Sequence, residues 1–155
     1  MVISKNVKET GKIAAILVKK IGAKKGKRTA VILALEGELG AGKTVFVKAF
    51  AKALGIKSKI TSPTFVILKK YSIPKPVPHT PYPVPYFLYH IDAYRLRDHR
   101  NLVAMGIKEI LADPQNIVLI EWSDRVQKIL PKKHIKIHID HVDEKTRKIR
   151  IFDNR

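Results

Sequence analysis

The chain has no cysteine, which excludes disulfide staples, thiolate zinc sites and cysteine nucleophiles together. It also has no apolar run near the ~18 residues that a membrane span requires. Residues 1–27 hold a short apolar patch, but charge interrupts it and no small-residue cleavage site follows, so they read as a folded helix and not as an export signal. The expectation is a cytoplasmic protein with no membrane association. Acids are scarce as well: 13 Asp and Glu stand against 31 Lys and Arg, for a formal charge of +18. Such a surface attracts polyanions and speeds encounters with them. Contact with RNA or an acidic partner is one reading of that charge; a generally basic surface without a dedicated partner is the other. No basic block is interleaved with aromatic residues in the manner of a single-strand-binding module. With 45% apolar residues in 155, the chain can bury a core as a single domain spanning 1–155.

Apolar positions Val7, Ile13, Ile16, Leu17 and Ile21 keep helical spacing over 6–21, with Ser4 or Asn6 placed to cap the start. Gly22 and the basic stretch 24–28 read as a loop. Residues 29–35 are continuously apolar and run into glycines, the pattern of a strand buried on both faces of a parallel sheet. Over 43–54, Phe46, Ala49, Phe50 and Ala53 share a helical face that Gly55 ends. A loop and then a strand occupy 60–71. Residues 72–85 contain six of the nine prolines, so they form an extended, irregular connecting loop. A strand at 86–91 follows, then a helix over 98–111 with Leu102, Met105, Ile110 and Leu111 inward. Another short buried strand covers 117–120. Finally 134–141 and 147–152 alternate and pair as a C-terminal antiparallel hairpin. This order specifies an α/β fold with a mostly parallel sheet flanked by helices.

The glycine-rich turn carries the chemistry. Gly37-Glu38-Leu39-Gly40-Ala41-Gly42-Lys43-Thr44 fits G-x-x-x-x-G-K-[ST], with Val45 next on the helix. Its glycines let backbone N–H groups close around a phosphate where a Cβ would obstruct them. Lys43 can neutralise the β- and γ-phosphates, and the Thr44 hydroxyl can reach Mg²⁺. The strand before and the helix after supply the setting the motif needs and make the sheet P-loop NTPase-like; a chance glycine turn has neither.

Ligands of a parallel sheet sit beyond the carboxyl ends of its strands. Two acids occupy such ends, Asp92 and Glu121, and either can hold Mg²⁺ or orient the attacking water. A helix cap or a surface ion pair is the structural alternative for each. Thr61-Ser62-Pro63-Thr64 is a hydroxyl-rich turn whose Ser62 is held extended by Pro63; it is either an ordinary turn or a switch facing the γ-phosphate. Trp122 adjoins Glu121 at the site edge, and His90, on the strand of Asp92, reads as a packing residue or a support for the site's acids before a catalytic group.

These residues resemble a particular family. Glu9-Thr10, the loop at 37–44, Ser62-Pro63-Thr64-Phe65, His90-Ile91-Asp92-Ala93-Tyr94-Arg95-Leu96, Met105-Gly106-Ile107, Ile120-Glu121-Trp122 and Leu130-Pro131 occur in the order of TsaE (YjeE), the P-loop ATPase of bacterial tRNA threonylcarbamoyladenosine synthesis. The resemblance implies that Lys43 grips phosphate, and that Thr44, Asp92 and Glu121 organise Mg²⁺. It makes 62–65 the switch and places Thr10, Trp122 and Arg147 near the nucleotide. It further implies an ATPase that supports, without performing, threonylcarbamoyl transfer to the adenosine 3′ of the anticodon, working with TsaD/TsaB-type partners. The proline-rich connection is longer than usual in the family, and Lys69-Lys70 stand where an acid commonly precedes Tyr71. Two rival readings remain: a small-molecule P-loop kinase, for which Arg95, Arg97 and Arg100 are the candidate lid, and a basic RNA-binding module in which ATP is structural.

Overall fold

The computed structural model describes residues 1–23, 28–74 and 87–155. The central strands are continuous apolar runs because both of their faces are covered. β2 (Val31–Glu36) and β5 (Asn116–Glu121) are buried along nearly their whole length, as parallel strands sandwiched by helices must be. Together with β4 (Phe87–Asp92) and β6 (Ile135–His141) they form the parallel centre of a seven-stranded sheet. Its flanks are antiparallel. β3 (Leu68–Ser72) pairs with β4 at one edge, while β7 (Arg147–Asp153) pairs with β6 and then with β1 (Val2–Ser4) at the other. The expected α/β class, parallel core and C-terminal hairpin are all present.

Helices α1 (Val7–Ala23) and α2 (Lys43–Ala53) cover one face. There Leu17, Ile21, Phe46 and Phe50 pack on Leu33, Leu35, Leu119 and Ile137. The other face is closed by α3 (Arg100–Ala104), α4 (Ile107–Ala112) and the 3₁₀ segment Ser123–Ile129, which place Leu102, Ile107 and Val126 on Ile32, Ile91 and Val118. Of the two capping candidates for α1, Asn6 is used: its Oδ1 accepts the Glu9 N–H at 3.0 Å.

Several expectations need correction. The helix expected over 98–111 is two short helices, because Gly106 turns left-handed with φ +78 and ends the first. That break turns Met105 outward and brings Ile107 into the core instead. Gly22 lies inside α1, which runs on to Ala23, since an exposed glycine weakens a helix without ending it. Ser72, assigned to the proline-rich connection, is the last residue of β3. The rest of that connection at 75–85, Tyr86 and the basic residues 24–27 fall outside the described residues.

Candidate functional site

β2 delivers the chain from the core to the carboxyl edge of the sheet, and the glycine-rich loop turns there with positive φ at Gly37, Gly40 and Gly42. At Gly37 glycine is obligatory, since a Cβ would lie 2.2 Å from the Ile139 carbonyl oxygen. The loop feeds directly into α2, whose first turn has no acidic residue, so its free N–H groups and dipole face the loop. Lys43 folds back under this arch. Its Nζ donates to the carbonyls of Gly37 at 2.6 Å and Glu38 at 2.9 Å, and it lies 3.7 Å from the centre of the Trp122 ring. Burial pushes the Lys43 ammonium below its usual pKa of 10.5, while Glu121 and then Asp92 pull the other way.

Sheet register sets the two acids side by side. Glu121 pairs with Leu35 of β2 on one side and with Asp92 of β4 on the other, so both carboxylates stand next to the loop. Thr44 donates its hydroxyl to the Glu121 carboxylate, at 2.9 and 3.1 Å from its two oxygens. His90, fully buried on the same face of β4 as Asp92, donates Nε2–H to Glu121 Oε1 at 2.7 Å. The His90 Nδ1 is buried without a hydrogen-bond partner, which assigns the proton to Nε2. Asp92 accepts the Thr64 hydroxyl at 2.6 Å, the Ser62 hydroxyl at 3.4 Å and the Tyr94 N–H at 2.9 Å. Trp122 holds a left-handed backbone, φ 58, rare for a bulky residue and a sign of local strain. In that conformation its ring contacts Tyr94 at 5.0 Å and roofs Lys43.

On the opposite side of the loop a cleft of about 260 Å³ opens between the start of α1 and β7, lined among others by Val7, Thr10, Gly40, Val45, Lys145 and Arg147. Arg147 ties β7 to the loop, its Nε donating to Ala41 O at 3.0 Å and its Nη1 to Asp143 O at 2.8 Å. Thr10 is buried with its hydroxyl 2.8 Å from that of Ser4.

The residues singled out in the sequence therefore gather in two adjoining places. Thr10, Gly40, Ala41, Gly42, Val45 and Arg147 line the cleft, while Lys43, Thr44, Asp92, Glu121, Trp122, Ser62 and Thr64 surround the other flank of the loop. Glu38 and Leu39 point outward at the loop tip and contribute backbone. Sequence reasoning missed Asn6, Val7 and Lys145 as cleft residues. Asn6 alone left a signal, its capping position four residues before Thr10. His90 takes the second of its two readings: it supports a site acid as hydrogen-bond donor to Glu121.

The donor set suits a hard cation. A hydroxyl and a carboxylate already converge on one point at Thr44 and Glu121, and Mg²⁺ is held by one or two carboxylates together with substrate phosphates. Among the described residues no cluster of three or more His, Asp or Glu forms an all-protein metal cage.

Comparison with known proteins gives one family. The model for "Threonylcarbamoyl adenosine biosynthesis protein TsaE" matches residues 4–149. Proteins called tRNA threonylcarbamoyladenosine biosynthesis protein TsaE are similar: that of Haemophilus influenzae is 35% identical over 115 residues, 74% of this chain and 66% of the relative. That of Bacillus subtilis is 36% identical over 121 residues, 76% and 66% of the two chains. That of Rickettsia felis is 32% identical over 155 residues, 99% and 80%. The match thus spans just under two thirds of the length of the first two relatives. A crystal structure of YdiB from Bacillus subtilis superposes with a TM-score of 0.72 at 28% identity, covering 99% of this chain and 84% of that one. Among the described residues no helix is long and apolar enough to cross a membrane.

Proposed function

The chain belongs to the TsaE family, and from that premise we propose that it binds and hydrolyses ATP with Mg²⁺ in support of threonylcarbamoyl modification of the tRNA adenosine 3′ of the anticodon, acting on a TsaD/TsaB-type complex. The observation that supports this best is the row at the carboxyl edge of the sheet, where the loop lysine, the Thr44 hydroxyl and two adjacent carboxylates meet.

Each group has a task in that reading. Lys43 exchanges the Gly37 and Glu38 carbonyls for β- and γ-phosphate oxygens, which suit its charge better. Loop amides and the start of α2 hold the remaining phosphate oxygens. Magnesium, when bound, neutralises charge on the β- and γ-phosphates. Thr44 and Glu121 would hold it, with His90 fixing the orientation of the carboxylate. Asp92 orients the attacking water and accepts its proton. The nucleoside occupies the cleft beside Thr10 and Arg147. Ser62 and Thr64, bonded to Asp92, transmit the state of the γ-phosphate to the turn that carries Phe65 and Val66, both exposed. That turn is the partner-facing switch.

The kinase alternative is less favoured, since two of its three candidate lid arginines have partners within this chain: Arg95 lies over the Phe65 ring at 4.4 Å and Arg100 pairs with Asp98 at 2.6 Å, while Arg97 is exposed. Phosphate release in the presence of TsaD, TsaB and tRNA tests the proposal. Turnover should require Mg²⁺ and Glu121, and it should be lost in Lys43→Ala. Magnesium-independent turnover, or full activity in Lys43→Ala, would reject it.

A further inference from the structure

The two helical faces of the sheet differ in how their charge is balanced. Over α3, α4 and the 3₁₀ segment, Arg100, Lys108, Arg125 and Lys128 are interspersed with Glu109, Asp124 and, just before α3, Asp98. Over α1 and α2, Lys8, Lys12, Lys19, Lys48 and Lys52 are exposed, beside Lys20, which pairs with Asp153 at 3.5 Å. Glu9 is the only acid in either helix. Among the described residues none of these five lysines forms an ion pair.

Their placement is regular. At ~100° per residue, Lys8, Lys12 and Lys19 fall within about 40° of one another and run roughly 16 Å down α1. α2 packs beside α1 and adds Lys48 and Lys52. The spacings 8/12 and 48/52 put like charges at i and i+4, where they repel and weaken the helices. A face selected for stability alone would intersperse acids among its bases, as the opposite face does.

We propose that the α1–α2 lysine face docks the phosphate backbone of double-helical RNA. Two features favour that occupant. Protein interfaces have an apolar core with aromatic anchors and are depleted in lysine, whereas the large apolar side chains exposed on these two helices are Ile16 and, at the cleft, Val7 and Val45. Single strands are held by stacking on aromatic rings, and both aromatic residues of the two helices, Phe46 and Phe50, are fully buried. Lysines on a rigid surface without rings suit contacts to phosphates that ignore sequence. The start of both helices at the glycine-rich loop puts this RNA next to the proposed nucleotide site without covering the turn at Phe65.

Fluorescence anisotropy of the full chain with a labelled RNA duplex, titrated across salt without nucleotide, tests this. Because no ATP is present, the outcome is separate from that of the ATPase reading. Replacing Lys12, Lys19, Lys48 and Lys52 together by Gln should weaken duplex binding about tenfold or more and flatten the log–log salt slope by ~3, at ~0.7–0.9 per lost phosphate contact. The pair Lys12→Gln/Lys48→Gln should produce about half that slope change, which guards against a folding defect in the fourfold variant. Neutralising Lys108, Lys128, Lys132 and Lys133 instead should change affinity by less than about twofold. Equal loss in both fourfold variants, tighter binding of a single-stranded oligonucleotide, or no duplex binding by the unmodified chain would overturn the proposal.

Discussion

Replacing Glu121 by Gln separates the fold from the chemistry. Glu121 is 2% exposed and accepts hydrogen bonds from His90 Nε2 and the Thr44 hydroxyl. A glutamine in the same rotamer keeps its carbonyl oxygen for His90 and turns its NH₂ toward the Thr44 oxygen, which can accept. No buried group is orphaned. The exchange removes the cost of a buried carboxylate and also its attraction for Lys43, two effects of opposite sign, so stability should change by no more than ~1 kcal/mol. Glu121→Ala is different: it strips His90 of its remaining partner, since Nδ1 already has none. An unsatisfied buried donor costs ~1–3 kcal/mol. Turnover should fall in both variants, by ~10²–10³ for loss of one preorganised charged group at the reacting centre. Urea unfolding and phosphate release with the partner proteins present measure the two quantities. The reasoning fails if Gln is as destabilising as Ala, or if Gln hydrolyses ATP at the unmodified rate.

Four further outcomes follow from the same geometry. Gly37→Ala should destabilise the fold by at least ~2 kcal/mol, since strain at positive φ and the overlap with Ile139 each cost ~1–3 kcal/mol. Gly40→Ala, with nothing within 4 Å of its Cβ, should lose clearly less in the same urea titration. Burial lowers the Lys43 pKa from 10.5, so between the lowered value and 10.5 the unfolded chain binds this proton more tightly and the group's contribution to stability rises with pH. The stability of Lys43→Met relative to the unmodified chain should therefore fall as pH is raised from about 8 to about 10, read from unfolding midpoints; an unchanged difference would contradict the lowered pKa. Trp122 emission should shift on ATP binding as Lys43 leaves the ring it now lies 3.7 Å from; a flat titration at saturation would contradict that movement.

Much of this site was legible because its parts are local. The run 31–36, the glycines and the amphipathic face of α2 are read from neighbouring residues, and period and turn chemistry suffice for them. Asp92 and Glu121 could be placed at strand ends for the same reason. What the sequence does not carry is the lateral register that makes them neighbours, since pairing of β4 with β5 is decided by residues far apart in the chain. The His90 contact to Glu121 depends on that register too, and by residue type alone packing and support of a neighbouring acid read alike. Gly106 was visible but ambiguous, because a glycine within a helical pattern either is tolerated, as Gly22 is, or takes positive φ and ends the turn. β1 is three residues long, too short for alternation to register, and its partner β7 lies at the other end of the chain. The cleft is likewise assembled from α1, the loop and β7, so Val7 and Lys145 had no local mark.

Coupling of the proposed nucleotide site to tRNA modification is the central claim. The direct measurement mixes the chain with TsaD, TsaB, threonylcarbamoyl-adenylate and unmodified tRNA, and follows threonylcarbamoyladenosine over many turnovers. Product should keep accumulating when the unmodified chain, ATP and Mg²⁺ are all present, and stall after about one turnover when ATP is withheld or Lys43→Ala is used instead. Equal accumulation with the chain omitted would contradict the account.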